Sequence, residues 1–139
     1  MRDPGTMPVR CLIVDDNRDF LRAASDLLER AGITVVGVAQ TGGQAGRACG
    51  DLRPDVVLVD IELGEESGFD VARQLTSEVG PDQPYVILTS AHSAEDFTDM
   101  MADTPAVSFL PKSALSGPAV LGILAGARQA SSRRHRDSR

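Results

Sequence analysis

The sequence predicts an α/β domain with a doubly wound, five-stranded parallel sheet and five helices on its two faces. Three observations carry that prediction. Five short apolar runs alternate with five segments of helical character, the order that builds a parallel sheet through crossover helices. The first and third runs, VRCLIV and DVVLVDI, are continuously apolar, as strands covered on both faces must be. Finally, 139 residues suit one domain, and a 4% aromatic content leaves aliphatic side chains to fill its core.

Each element has a local reason. Val9 to Val14 reads as a central strand. Phe20, Ala24, Leu27, Leu28 and Ala31 then recur at helical spacing, with Arg18, Arg22, Asp26, Glu29 and Arg30 off that stripe and Gly32 to stop the helix. ITVVGVA, residues 33–39, is the second strand. Thr41 and Gln44 have the form of a capping box opening a second helix that ends before Pro54. DVVLVDI, residues 55–61, is the third strand, and Ser67 with Asp70 caps a third helix that Gly80 and Pro81 end. YVILTS, residues 85–90, is the fourth strand and Ser93 starts a fourth helix. AVSFL, residues 106–110, is the fifth strand, and Pro118 lies near the start of the last helix.

Composition narrows the class of protein. Residues 8–127 carry 18 acids against 8 bases, a net charge of −10, so the body repels nucleic acid. Residues 128–139 carry five arginines against Asp137. This basic polar tail has the charge to touch a phosphate backbone, and equally the composition of a solvated terminus or a stub of linker. Met1–Met7 reads as a disordered extension, leaving 8–127 as the domain. No run approaches the roughly 20 apolar residues of a membrane span and the start lacks the apolar core of a secretory signal, so a cytoplasmic protein is expected. Cys11 and Cys49 have neither metal-ligand nor disulfide-framework spacing and are expected to be buried thiols.

The polar residues gain meaning from this order. Asp15 and Asp16 follow the first strand, Asp60 ends the third, Thr89 ends the fourth, and Lys112, the only lysine among 14 cations, follows the fifth. In a parallel sheet those ends share one edge, where ligands bind at the strand-order switch point. Three carboxylates crowded there repel, and they take up protons or hold a cation. All-oxygen ligands suit a hard ion, best Mg2+. Asp60 is then the candidate nucleophile, the ion and Lys112 neutralise charge on a transferring phosphoryl group, and Thr89 donates a hydrogen bond to the product. Singly, these residues say less. An Asp-Asp pair also caps helix starts, a lone lysine is compatible with arginine-rich codon usage, and Thr89 is compatible with an ordinary strand end.

Together the five residues resemble the receiver domain of two-component response regulators, across roughly Val9 to Ala127. The residues that carry the likeness are the pair in IVDDN, the aspartate of VLVDIEL, the threonine of VILTSAH and the lysine of FLPKS. The resemblance implies a flavodoxin-like sheet in the order 2-1-3-4-5. It also implies that Asp60 accepts phosphate from a sensor histidine kinase or a phosphotransfer protein, and that Asp15 and Asp16 hold Mg2+ with Asp60 and the Glu62 carbonyl. Phe109 matches the family's aromatic switch, working with Thr89. The implied face for an output partner or self-association is the fourth helix, fifth strand and last helix. FLPKSAL is most like receivers that carry a helix-turn-helix output, which does not follow here, so no sequence-specific DNA binding is expected of this chain. A haloacid-dehalogenase-like aspartyl phosphatase is the rival reading, but Glu62 stands where that family uses aspartate and the acidic pair precedes the nucleophile. A receiver-like binding module that is not phosphorylated is a second rival. The uncharged run Ala119 to Ala127, with Gly122 and Gly126 a turn apart, is either a partner surface or a helix simply packed on the sheet.

Overall fold

A computed structural model describes residues 8–77, 83–92 and 102–137, with side chains through residue 130. The chain runs β1 (Arg10–Val14), α1 (Arg18–Arg30), β2 (Thr34–Ala39), α2 (Gly42–Leu52), β3 (Val56–Asp60), β4 (Glu62–Leu63), β5 (Glu66–Ser67), α3 (Gly68–Leu75), β6 (Tyr85–Ser90), β7 (Ser108–Pro111) and α4 (Gly117–Asp137). Five strands form one sheet in the order β2-β1-β3-β6-β7, all pairs parallel. With the small antiparallel hairpin β4-β5 set aside, this is the expected 2-1-3-4-5 order. The described residues hold four α-helices. The helix expected from Ser93, the stop at Gly80 and Pro81, and the Met1–Met7 extension lie outside the described residues.

The apolar runs are continuous because the sheet is covered on both faces. Side chains alternate along a strand, so Cys11 and Ile13 pack with α1 and α4, beside Leu28 and Leu124. Leu12 and Val14 point the other way, into the layer of Val57, Val59, Phe69 and Val71 against α2 and α3. Burying a side chain of this size stabilises by about 1.5–3 kcal/mol, so both faces favour the same register. Gly117 lets α4 approach α1: a Cβ there would collide with that of Ala31.

Several local readings change. The buried stripe of α1 is Leu21, Ala24 and Leu28, whereas Leu27 is 39% exposed. Leu27 stands about 120° round the helix from Leu21, so packing Leu21, Ala24 and Leu28 into the core leaves Leu27 toward solvent. Asn17 caps this helix, its side chain accepting from the Phe20 amide at 3.2 Å. Thr41 caps α2 as expected, accepting from the Gln44 amide at 3.1 Å, but the Gln44 side chain reaches the Gln40 amide instead of closing the box. Ser67 caps α3 through the Phe69 amide, while Asp70 pairs with Arg73 at 3.2 Å. Cys11 is fully buried and Cys49 only half so. Burial pushes their thiols up to about 12 and about 11, so both stay protonated at neutral pH. In α4, Val120 and Leu124 are buried and Leu121 is exposed, and Gly122 and Gly126 face open space. No helix among the described residues is long and apolar enough to cross a membrane.

Candidate functional site

The order of the sheet changes direction between β1 and β3, and the strand ends there define the site. Asp15 follows β1, with its amide bonded to the Ala39 carbonyl at 3.0 Å. Asp60 is the last residue of β3 and is in register with Thr89 of β6, which is itself in register with Leu110 of β7. Lys112 follows β7 and opens a short 3-10 turn, Lys112–Ala114. The register brings groups 23 to 97 residues apart in sequence to one edge.

There the residues meet. Carboxylate oxygens of Asp15, Asp16 and Asp60 lie within 4.8 Å of one another. Asp15 is fully buried, Asp60 nearly so, and Asp16 exposed. Lys112 Nζ stands 2.7 Å from Asp15 Oδ2 and 3.4 Å from Asp60 Oδ2. The other oxygens are held by backbone: Asp15 Oδ1 accepts from the Asn17 amide at 2.9 Å and Asp60 Oδ1 from the Glu62 amide at 3.1 Å. A cleft of about 310 Å³ opens over the group, walled by Asp16, Asn17, Glu62, Gly64 and His92. At its rim His92 Nε2 is 3.4 Å from Glu62 Oε1. Ser90 is buried but lines the cleft, whereas Thr89 is buried and does not line it. Phe109 does not line the cleft; it packs half-buried against the α2 and α3 side of the core.

Electrostatics follow from burial and neighbours. Burial pushes the Asp60 carboxyl up to about 6, against the Glu62 amide hydrogen bond; Asp15 adds to the rise and Lys112 opposes it. Burial works against the Lys112 charge, but its hydrogen bond to Asp15 and the fields of Asp60 and Asp15 outweigh that and raise it above its ordinary value. The ammonium therefore stays charged, while Asp60 sits close to its own switching range.

The donor set suits a hard cation. Asp15 Oδ2 is fully buried, and among the described residues its close partner is the Lys112 ammonium at 2.7 Å. One ammonium does not balance three carboxylates whose oxygens lie within 4.8 Å of one another, and an oxygen-liganded ion shared by Asp15, Asp16 and Asp60 would offset the remaining repulsion.

Three contributors were not recognised as site residues from the sequence. Asn17 follows the acidic pair and stands three residues before Phe20, so the cap was available to a reading of helix-start signals. Phe20 falls on the apolar stripe of the first helix and so resembles a core residue, yet its ring lies under Lys112 Nζ, 4.4 Å from the ring centroid. Gly68 lies against the backbone of Asp60 and Ile61, which no local pattern announces.

Comparison with known proteins agrees with this geometry. Residues 11–117 match the family of response regulator receiver domains. The protein-glutamate methylesterase/protein-glutamine glutaminase of Halobacterium salinarum is 37% identical over 86 residues, 61% of this chain and 24% of that protein. The response regulator MprA of Mycobacterium sp. strain KMS is 36% identical over 106 residues, 76% of this chain and 45% of that protein. The chain thus spans less than half the length of these relatives. The signal receiver domain of the response regulator NarL from Mycobacterium tuberculosis superposes with a TM-score of 0.77 at 28% identity, covering 87% of this chain and 99% of that one.

Proposed function

The chain belongs to the response regulator receiver domains, whose work is phosphorylation-controlled signalling, and we propose that Asp60 is its phosphoacceptor. The carrying observation is Lys112 Nζ bridging Asp15 and Asp60 beside a third carboxylate. A sensor histidine kinase or a phosphotransfer protein presents a phosphohistidine to the cleft. An Asp60 carboxylate oxygen attacks phosphorus; the P–N bond breaks, its electron pair stays on the imidazole, and the imidazole takes a proton from solvent. Asp60 is left as an acyl phosphate. Asp15, Asp16, Asp60 and the Glu62 carbonyl would hold Mg2+. The ion supplies positive charge that screens the carboxylates and polarises the phosphoryl group.

The chain's own residues do the rest. Lys112 hands its ammonium from Asp60 to a phosphoryl oxygen, offsetting charge that grows as the bond forms. Thr89, adjacent to Asp60 in the sheet, donates its hydroxyl to another phosphoryl oxygen. That new bond pulls on β6, whose Leu88 is in register with Phe109, and Phe109 shifts its packing. The face altered is the segment after Ser93, β7 and α4, where an output partner or a second copy binds. The chain acts as phosphoacceptor rather than as a turnover enzyme on a separate substrate, in the cytoplasm, without sequence-specific DNA contact.

The test is intact mass after incubation with Mg2+ and acetyl phosphate. One phosphoryl group is expected, absent in Asp60→Asn and without divalent ion. Uptake that survives either change refutes the assignment.

A further inference from the structure

Phe20 belongs to the first turn of α1 and is half-buried at the margin of the α1–α4 core. Packing alone would explain it but for what lies above its face. Lys112 Nζ is 4.4 Å from the ring centroid, well inside the roughly 6 Å over which an aromatic quadrupole attracts a cation. The same nitrogen touches Asp15 Oδ2 at 2.7 Å.

The contacts close on themselves. Asp15 Oδ1 accepts from the Asn17 amide at 2.9 Å. Asn17 Oδ1 accepts from the Phe20 amide at 3.2 Å. The Phe20 ring meets Lys112, and Lys112 returns to Asp15. A cap that fixes the start of α1 therefore also fixes the ring beneath the ammonium.

We propose that Phe20 is a positioning residue for Lys112, holding its ammonium over the cleft by a cation–π contact while its hydrogen bonds pass from Asp60 to the phosphoryl group. The proposal rests on Asp60 being the phosphoacceptor. A third carboxylate could hold the ammonium still, but each of its oxygens would demand a directed N–H and would compete with phosphate for the three available. A ring face demands no particular N–H. The ammonium can turn above it and redirect a donor without losing its place. The ring also screens one side of the charge from water; the Lys112 side chain is 19% exposed.

Lys112 is the only lysine, so lysine labelled with 13C gives a single ε-methylene signal. The experiment records that signal and the rate of phosphoryl uptake from acetyl phosphate with Mg2+ in wild type, Phe20→Leu and Phe20→Tyr. Leucine keeps apolar bulk and loses the quadrupole; tyrosine keeps both. Phe20→Met replaces the leucine variant if that one does not fold. Expected are an upfield ring-current displacement in wild type, its loss in Phe20→Leu together with an uptake rate lower by about three- to tenfold, and recovery of both in Phe20→Tyr. A leucine variant at the wild-type rate, or a wild-type signal at the position of a free lysine, overturns the proposal. If the wild type takes up no phosphoryl group, the phosphoacceptor assignment fails instead, and the ring-current displacement alone decides whether Phe20 holds the ammonium.

Discussion

Gly68, the first residue of α3, packs directly on the backbone of Asp60. A Cβ at Gly68 would overlap the Asp60 carbonyl oxygen and lie 2.6 Å from Ile61 Cα. The Gly68 amide donates to the Ile61 carbonyl at 2.6 Å, so the helix start is bolted to the end of the strand. The atoms in the way are main chain, which cannot rotate aside.

Gly68→Ala is therefore expected to destabilise the domain by about 1–3 kcal/mol and to slow phosphoryl uptake by displacing Asp60. Gly122→Ala, on a helix with open space around it, should be neutral or stabilise by up to about 1 kcal/mol. Urea denaturation of both variants checks the pair.

The pH dependence follows from Asp60. Burial raises its carboxyl from 3.8 to about 6 in the folded state. Its contribution to stability is thus fully present below the unfolded value and lost as pH rises through about 6. Replacing it with the neutral isostere in Asp60→Asn should raise the Tm at about pH 7.5 in metal-free buffer, and the gain should vanish near pH 4. Thermal melts across that range decide it; a gain that is constant with pH contradicts the assignment.

Asp16 is the exposed member of the acidic triplet, so its substitution should touch metal affinity more than folding. Asp16→Asn is expected to weaken Mg2+ binding on the order of tenfold or more, with a Tm close to wild type. Calorimetric titration with Mg2+ measures the first, and a melt without metal the second.

Lys112 should separate phosphorylation from its consequence. A guanidinium is a broad planar fork where the site holds a compact ammonium, so Lys112→Arg should accept phosphate but fail to alter the Phe109 region. Lys112→Ala should in addition take up phosphate more slowly, on the order of tenfold or more. Phosphate incorporation alongside hydrogen exchange over Ser108 to Leu124 distinguishes them. Full protection changes in Lys112→Arg would mean that arginine serves equally well there.

The arginine-rich end should bind DNA only through charge. Binding is expected to lose affinity steeply with salt and to show no preference between sequences. A footprint on one defined site at physiological salt would contradict this.

The sequence by itself determined which residues could do chemistry and at which edge of the sheet they gather. Asp15, Asp16, Asp60, Thr89 and Lys112 each stand where an apolar run gives way to polar residues, and strands of a parallel sheet end on one side, so position along the chain becomes position in space. The Ser67 and Thr41 caps were legible for the same reason: their hydrogen bonds reach two or three residues. Tertiary structure decided the remainder. Which face of α1 is buried is decided by what it packs against: Leu21, Ala24 and Leu28 join the core while Leu27, about 120° round the helix from Leu21, is exposed. The two uses of Lys112, on Asp15 and over Phe20, join parts of the chain more than 90 residues apart. Gly68 needs to be glycine because of the backbone of Asp60 and Ile61, which reaches it through the turn of the β4-β5 hairpin. Apolar periodicity records only whether a side chain faces the core; contacts between particular atoms arise when the sheet closes and sets the distances between its ends.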